Sequence, residues 1–328
     1  MNGRALLTRN RELLLDASAG LLSGFIYLSY VLSFAFLIPV QHAFAGRGRK
    51  SGLIAAAFSF LAIAIGQIAR MLEIKTLDPL VIIAGVLPPL LLLAAIWFVN
   101  AQIGKTGAGG KILIAVLILS AIAAPFVIKA TSDKSFSAWM IEYIGSAMKS
   151  SGLEGDGEAY ARAAVNAAIA VIQSGFAAII LWILAGSWWL GSYIAARAAI
   201  RQKTADESVF ASIRLSRLRV PSLALWPTLL SWILLFAVLI TKQTGLLSAL
   251  VWNISLCLAS LYAMQGIGII SHLSRQFNAT RIVRLLAPLA VMAIALSNTA
   301  GAIILITLPI LGITEVWLPY RNVKGALK

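Results

Sequence analysis

Residues 79–99 read PLVIIAGVLPPLLLLAAIWFV, a stretch without a single charged side chain. A helix rises about 1.5 Å per residue, so this stretch is long enough to cross a hydrocarbon core of roughly 30 Å. Similar stretches recur at 53–69, 112–128, 170–195, 223–241 and 246–271. Spanning segments must pair their own backbone groups in lipid, which favours helices. The pattern predicts an all-α integral membrane protein, a polytopic helix bundle.

The composition agrees with this class. Of the 328 residues, 60% are apolar and 12% are charged, and the mean hydropathy is +0.91. A soluble domain carries about 25% charged residues. No segment between the apolar stretches is long enough for a soluble domain, so residues 1–328 are predicted to form one polytopic transmembrane domain with the lipid bilayer as its main partner.

Two further apolar runs, at 17–46 and 285–317, are longer than one upright helix needs. Either each run is one long tilted helix, which gives eight crossings, or each folds back as a short hairpin, which gives ten. Residues that favour turns mark the expected breaks. They are Ser29, Tyr30 and Ser33 in the first run, and the sequence SNTAG at 297–301 in the second.

The distribution of charge favours the two hairpins, because Lys and Arg concentrate in cytoplasmic loops. With ten crossings both termini are cytoplasmic, and 20 of the 27 Lys and Arg residues face that side: Arg4, Arg9, Arg11, Arg47, Arg49, Lys50, Lys105, Lys111, Arg197, Arg201, Lys203, Arg214, Arg217, Arg219, Arg275, Arg281, Arg284, Arg321, Lys324 and Lys328. The chain is therefore predicted to be a multi-pass protein of the cytoplasmic (inner) membrane. Membrane topology and anionic lipid headgroups account for this basic charge, so no nucleic-acid partner is predicted.

Two connections stand out. Residues 129–162 are predicted to form an extracytoplasmic loop with an amphipathic helix, because Met140, Tyr143 and Ile144 recur at helical spacing near Glu142. This segment is interpreted either as an interfacial anchor or as a lid over an outward-facing cavity. Residues 197–221 are predicted to form a basic cytoplasmic loop.

Signatures of catalysis are missing from the sequence. No apolar stretch holds a carboxylate pair or a Ser-His or Ser-Lys arrangement, and Cys257, His42 and His272 are too scattered for a metal centre. We therefore expect no enzymatic activity, no metal and no cofactor.

Candidate binding residues are the uncharged polar side chains within the spans, since each needs a partner there. Asn166 and Gln173 are seven positions apart and so share one helix face. Asn253 and Gln265 lie in another span. These residues either bond neighbouring helices to each other or line a cavity for an unknown small solute. Gly20 and Gly24, spaced as GxxxG, mark either a packing face or a docking site for a second membrane subunit.

Short motifs run through most of the chain: IPV at 38–40, GRG at 46–48, SGLIA at 51–55, RVP at 219–221, YAMQG at 262–266 and LGITE at 311–315. Together they resemble the YybS-like family of uncharacterised bacterial membrane proteins (domain of unknown function 2232). That family is distantly similar to the S-components of energy-coupling-factor transporters. The resemblance implies a helix bundle with a solute-sized pocket open to the outside, together with a coupling membrane subunit and a cytoplasmic ATPase pair as partners.

Three functional classes follow. The favoured class is a small-solute binding or transport protein that resembles an S-component and uses Asn166, Gln173, Asn253 and Gln265. The alternative is a membrane scaffold or assembly partner in envelope or division processes, acting through the basic loop at 197–221. An intramembrane enzyme ranks lowest.

Overall fold

The computed structural model describes residues 3–30, 32–73, 79–103, 106–150, 157–203, 217–243, 245–276, 298–318 and 320–321. These residues lie in helices and short connections, and none of them belongs to a β-strand. The all-α prediction is confirmed. The chain divides into two compact units, Met1–Leu117 with Ile180–Arg214 (unit 1) and Ile118–Ile179 with Leu215–Lys328 (unit 2).

The described residues form ten α-helices. They are α1 (Gly3–Leu28), α2 (Leu37–Arg47), α3 (Arg49–Glu73), α4 (Pro79–Asn100), α5 (Ala108–Ser132), α6 (Lys134–Ser150), α7 (Gly157–Arg201), α8 (Leu225–Ile240), α9 (Leu246–Gln276) and α10 (Asn298–Thr314). Five of the six clear apolar stretches lie within one helix each, and the sixth, 223–241, extends slightly beyond both ends of α8.

The apolar surface fits a membrane protein. In the described part of the chain, five helices are long and apolar enough to cross a bilayer, and a shorter apolar helix spans Gly85–Asn100. Large apolar side chains on these helices face outward; Leu117 is 73% exposed and Ile233 is 66% exposed. Such exposure would be costly in water, whereas lipid contact removes that cost. The number of crossings, eight to ten, stays a prediction.

The first long run folds back, as the charge distribution favoured. α1 ends at Leu28, and α2 begins at Leu37 after a short 3-10 turn at Ser33–Ala35. α1 and α3 run parallel, because their contacts advance together: Gly20 lies against Ala55, and Gly24 against Ala62. The chain that connects two parallel helices has to run back in the opposite direction before the second helix begins. The single tilted helix is therefore excluded for this run.

Polar contacts hold both ends of this hairpin. At one end the Arg47 Nε lies 2.6 Å from the Asp16 Oδ1, and Asp16 is only 2% exposed. At the other end Tyr30 adopts a left-handed φ of 56° and lies under the Arg70 guanidinium, 4.3 Å from the ring centroid. The cation–π contact offsets part of the cost of that backbone conformation.

In unit 2, α9 packs antiparallel against both α8 and α10. The α9–α10 crossing is close because two glycines face the opposite backbone: Gly266 faces the carbonyl of Leu308, and Gly312 faces the carbonyl of Tyr262. Beside the crossing, Leu225, Tyr262 and Ile313 form a buried apolar cluster. Small residues at such crossings let helices approach closely enough for extensive van der Waals contact.

Several boundaries differ from the sequence-based prediction. α7 ends at Arg201, inside the basic loop predicted for 197–221, and residues 204–216 of that loop lie outside the described residues. α7 has 45 residues and begins at Gly157, inside the predicted loop at 129–162, because the alanine-rich stretch after Gly157 has high helix propensity. α10 begins at Asn298, so residues 298–301 form its first turn and not a loop. Asn is favoured at helix starts as well as in turns. Residues 285–297 lie outside the described residues, so the hairpin predicted for 285–317 stays a prediction.

Candidate functional site

Asn253 on α9 is buried and bonded to the backbone of α7. Its Nδ2 donates to the carbonyl oxygens of Gln173 (2.9 Å) and Ala249 (2.8 Å), and its Oδ1 accepts from the Ala177 N–H at 2.9 Å. Both side-chain donors are therefore used within the protein. Such bonds are expected if Asn253 joins neighbouring helices, which was one of its two predicted roles.

The other two polar residues of this set are placed differently. Gln173 is half-buried, and the group that meets Asn253 is its backbone carbonyl and not its side chain. Asn166 is exposed on α7 and takes no part in these hydrogen bonds. The hydrogen bonds that Asn253 makes across to α7 involve the backbone of Gln173 and Ala177 and not the side chains of Asn166 and Gln173. Their role as solute ligands stays a prediction.

The Asn253 contacts predict a contrast between two substitutions. Asn253→Asp should lower the free energy of unfolding by about 3 kcal/mol, because a carboxylate would face the Gln173 and Ala249 carbonyls without donors. Asn253→Leu should cost less than about 1 kcal/mol, since the Gln173 carbonyl and the Ala177 N–H stand four residues apart and can bond each other. Unfolding in mixed micelles titrated with dodecyl sulfate measures both. Equal losses would show that the amide does more than join two helices.

Gln265 is also buried, at 3% exposed, and belongs to a polar network at one end of unit 2. Its Oε1 accepts from the Val220 N–H at 2.6 Å, and its Nε2 donates to the Gly312 carbonyl (3.0 Å) and to the Glu315 Oε2 (2.9 Å). Gln265 thus joins α9, the end of α10 and the segment before α8. As with Asn253, the side chain is occupied by intramolecular bonds.

An ion pair completes this network. The Arg321 guanidinium meets both Glu315 oxygens at 2.8 Å and donates to the Leu218 carbonyl at 2.9 Å. The Arg321 and Glu315 side chains are 4% and 6% exposed. Burial lowers the pKa of Arg321 from its ordinary value, and the Glu315 carboxylate acts in the opposite direction. The sequence pattern did not reveal this pair, since its two members follow the last helix.

Gly20 and Gly24 lie against α3 inside unit 1. A Cβ on Gly20 would stand 2.3 Å from the Ala55 carbonyl oxygen, and one on Gly24 would stand 2.5 Å from the Ala62 Cβ. These distances correspond to the packing alternative for the two glycines. A second membrane subunit would have to displace α3 in order to reach them.

A buried polar cluster in unit 1 was not predicted. Gln41 on α2 is 1% exposed, and its Nε2 donates to the Ser192 Oγ at 2.9 Å. Its Oε1 accepts from the Asn100 Nδ2 at 2.6 Å. Close by in the chain, the Lys111 ammonium donates to the carbonyl of Ala101, just beyond the end of α4. A cation at a helix C-terminus is stabilised by the helix dipole, so Lys111 acts as a cap.

A polar concavity lies in unit 2, between the end of α5, α6 and the start of α7. We call it the α6 groove. It encloses about 770 Å³, within the range of roughly 300–1,000 Å³ typical of small-molecule sites. Its charged lining residues are Lys134 and Glu142 on α6 and Arg162 on α7. The hydroxyl groups that line it are those of Thr131, Ser132, Ser137 and Ser146.

Local sequence chemistry positions the groove. Asp133 stands between α5 and α6, and its Oδ1 accepts from the Ser135 N–H at 2.8 Å and the Ser135 Oγ at 2.6 Å. An Asp in this position caps the first turn of the following helix. α6 therefore starts directly after α5 ends, and it presents Lys134, Ala138 and Glu142 to the groove.

The described residues contain no cluster of three or more His, Cys, Asp or Glu side chains that could hold a metal ion. No protein-family model, curated protein or solved structure matches this chain. The resemblance to the YybS-like family stays a prediction.

Proposed function

We propose that this chain is a membrane protein that binds a small polar solute in the α6 groove as the first step of its transport. The observation that carries the proposal is the groove itself, a solute-sized concavity with three charged and four hydroxyl-bearing side chains. Asn253 and Gln265, the residues of α9 that were predicted as ligands, are hydrogen-bonded within the protein. We therefore place the proposed site in the groove between α5 and α7 and not within the apolar spans.

The position of the groove suits solute capture. It lies in the segment 129–162, for which the charge distribution favours the extracytoplasmic side of a bacterial inner membrane, with both termini cytoplasmic. Arg and Lys donate to oxygen acceptors, Glu accepts from ammonium or hydroxyl groups, and the serines and threonine do both. Small specific sites combine a few such polar groups with apolar walls, here supplied by Ala138 and Ile141.

Under this proposal the protein performs no covalent chemistry. The resemblance to S-components implies that a coupling membrane subunit and an ATPase pair drive release of the solute to the cytoplasm. The exposed basic residues Arg197, Arg201 and Lys203 at the end of α7 favour a second candidate, a scaffold that recruits a protein partner at the membrane.

A ligand panel distinguishes these candidates. The purified protein in lipid nanodiscs is heated with the standard amino acids, their N-acetyl and amide derivatives, and simple sugars and polyols. At least one compound should raise the unfolding midpoint of the wild type. Ala138→Trp should abolish that shift, because Ala138 is exposed in the groove and an indole there would obstruct the site.

The matched control is Ala130→Trp, the same substitution at an exposed position that does not line the groove. It should retain the wild-type shift. If no compound in the panel changes the midpoint, the solute-binding proposal is wrong, and crosslinking to a protein partner through the basic end of α7 becomes the expected result of the scaffold alternative.

A further inference from the structure

The ends of α2, α4 and α7 and the start of α3 come together at one end of unit 1. α2 and α7 lie side by side, because the Gln41 Nε2 donates to the Ser192 Oγ at 2.9 Å. Further along, a Cβ on Gly46 would stand 3.4 Å from the Ala195 Cβ. α4 ends beside α2, since its last residue, Asn100, donates to the Gln41 Oε1. The exposed cations at this end, which we call the cationic surface of unit 1, are Arg49, Lys50, Arg197, Arg201 and Lys203.

The side of α7 that leads to this surface changes from aromatic to cationic. Trp189, Tyr193, Arg197 and Arg201 follow one another by four positions, the spacing of neighbours along a helix face. The rings of Trp189 and Tyr193 have centroids 5.6 Å apart, and the Arg197 guanidinium carbon lies 5.9 Å from the Tyr193 ring centroid. Ile194 is 42% exposed. The outer surface of α7 therefore passes from apolar to cationic within about one helical turn.

This order of residues matches the boundary between acyl chains and headgroups. Aromatic residues are enriched at membrane–water interfaces, and Lys and Arg concentrate on the cytoplasmic side. A headgroup layer is roughly 5–8 Å thick, half the difference between the hydrocarbon core and the whole bilayer. Arg197 and Arg201 are about 6 Å apart along the helix axis, so one headgroup layer can contact both. Because these cations continue an apolar helix surface that itself needs lipid, headgroups reach them before a soluble protein partner does.

The start of α3 adds a second arginine beside an aromatic ring. The Arg49 guanidinium carbon lies 5.7 Å from the centroid of the Trp97 ring on α4. Acidic side chains offset this charge only in part. Among the described residues at this end, Asp16 is buried in its pair with Arg47, and the exposed acid is Glu12 on α1. The cationic surface therefore has a positive potential that attracts anions.

We propose that the cationic surface of unit 1 binds anionic phospholipids in preference to zwitterionic ones, with the lipid phosphate groups at Arg197 and Arg201 on α7 and at Arg49 and Lys50 on α3. A guanidinium donates two parallel hydrogen bonds to phosphate oxygens. Phosphatidylcholine also carries a phosphate, but its trimethylammonium group would bring a positive charge to the arginines. This proposal does not depend on solute binding, because the α6 groove belongs to unit 2.

Lipid retention tests the proposal. The full chain is released from nanodiscs of equal parts phosphatidylglycerol and phosphatidylcholine, and native mass spectrometry measures the ratio of the two lipids that stay bound. The wild type should retain more phosphatidylglycerol. Arg197→Gln with Arg201→Gln should lower this ratio at least about fivefold, the factor that corresponds to about 1 kcal/mol for one basic residue near an anionic surface. Arg197→Lys with Arg201→Lys should keep most of the preference, since lysine retains the charge.

Further variants separate this surface from general effects of charge and folding. Arg49→Gln with Lys50→Gln should lower the ratio in the same direction. Lys129→Gln with Lys242→Gln removes two exposed cations from unit 2 and should leave the ratio unchanged. In micelles without phospholipid, each glutamine variant should unfold as the wild type does, because exposed substitutions of this kind have small effects on stability.

Three results would overturn the proposal. The first is a wild type without a preference for phosphatidylglycerol, which would leave the cationic surface to the protein partner of the scaffold alternative. The second is a preference that survives both pairs of glutamine substitutions, or one that falls equally in the unit 2 control. The third is displacement of phosphatidylglycerol by inorganic phosphate but not by sodium chloride of the same ionic strength, which would show that the surface takes a free phosphate and not a lipid.

Discussion

Gly312→Ala should destabilise unit 2 severely, by about 3 kcal/mol or more in the free energy of unfolding. A Cβ at this position would stand 2.0 Å from the carbonyl oxygen of Tyr262, and that oxygen belongs to the α9 backbone. A side chain could rotate away, but a helix backbone has to move as a whole. Overpacking a tight contact typically costs roughly 1–3 kcal/mol, and a backbone clash belongs at the upper end.

Dodecyl sulfate titration in mixed micelles, followed by tryptophan fluorescence, measures this change. Gly186→Ala is the matched control, because a Cβ at Gly186 would meet nothing within 4 Å. This substitution should be neutral or stabilise the protein by up to about 1 kcal/mol, as Ala favours helix more than Gly does. Equal effects of the two substitutions would contradict the close α9–α10 crossing.

Arg321→Met should lower the free energy of unfolding by about 3–5 kcal/mol, because it leaves the Glu315 carboxylate buried without its ion partner. Among the described residues, the Gln265 Nε2 would then be the donor left to that carboxylate. The double variant Glu315→Leu with Arg321→Met should recover most of the loss, since apolar residues of similar volume often replace a buried ion pair without net cost.

The same micelle titration tests the pair. The control is Arg197→Met, a change at an exposed arginine on α7 that is expected to alter the unfolding free energy by less than about 0.5 kcal/mol. Arg321 also donates to the backbone carbonyls of Leu218 (2.9 Å) and Gln265 (3.4 Å). If the double variant is as unstable as Arg321→Met, the loss comes from these two hydrogen bonds and not from the carboxylate left without its ion partner.

The helices and the first hairpin could be predicted because their signals are local. Uninterrupted apolar stretches mark the spans, and Ser29, Tyr30 and Ser33 mark the turn between α1 and α2. The distribution of Lys and Arg supplied the one piece of long-range information, that the run at 17–46 returns. In the structure Arg47, which the sequence analysis assigned to the cytoplasmic side, forms an ion pair with Asp16.

The partners of the buried polar residues could not be predicted in this way. Asn253 stands out in the sequence, but its spacing could not show that its amide faces the backbone of α7. Gln41, Asn100 and Ser192 come from three helices far apart in the chain, so no periodic pattern links them. Partner choice depends on tertiary packing, which a single sequence does not contain.

The α6 groove could be predicted only in part. The segment 129–162 stood out as a polar connection with an amphipathic helix, interpreted as an anchor or a lid. α6 starts directly after α5 because Asp133 caps its first turn. The concavity between α6 and α7 depends in addition on the early start of α7 at Gly157. A cap has a sequence signal, but the distance between two helices has none.

Equilibrium dialysis of a radiolabelled panel compound against the protein in nanodiscs tests the central claim most directly. Solute binding in the α6 groove predicts saturable binding of one molecule per chain, retained in Ala130→Trp and lost in Ala138→Trp. Binding that survives Ala138→Trp, or no saturable binding by any compound of the panel, would contradict it.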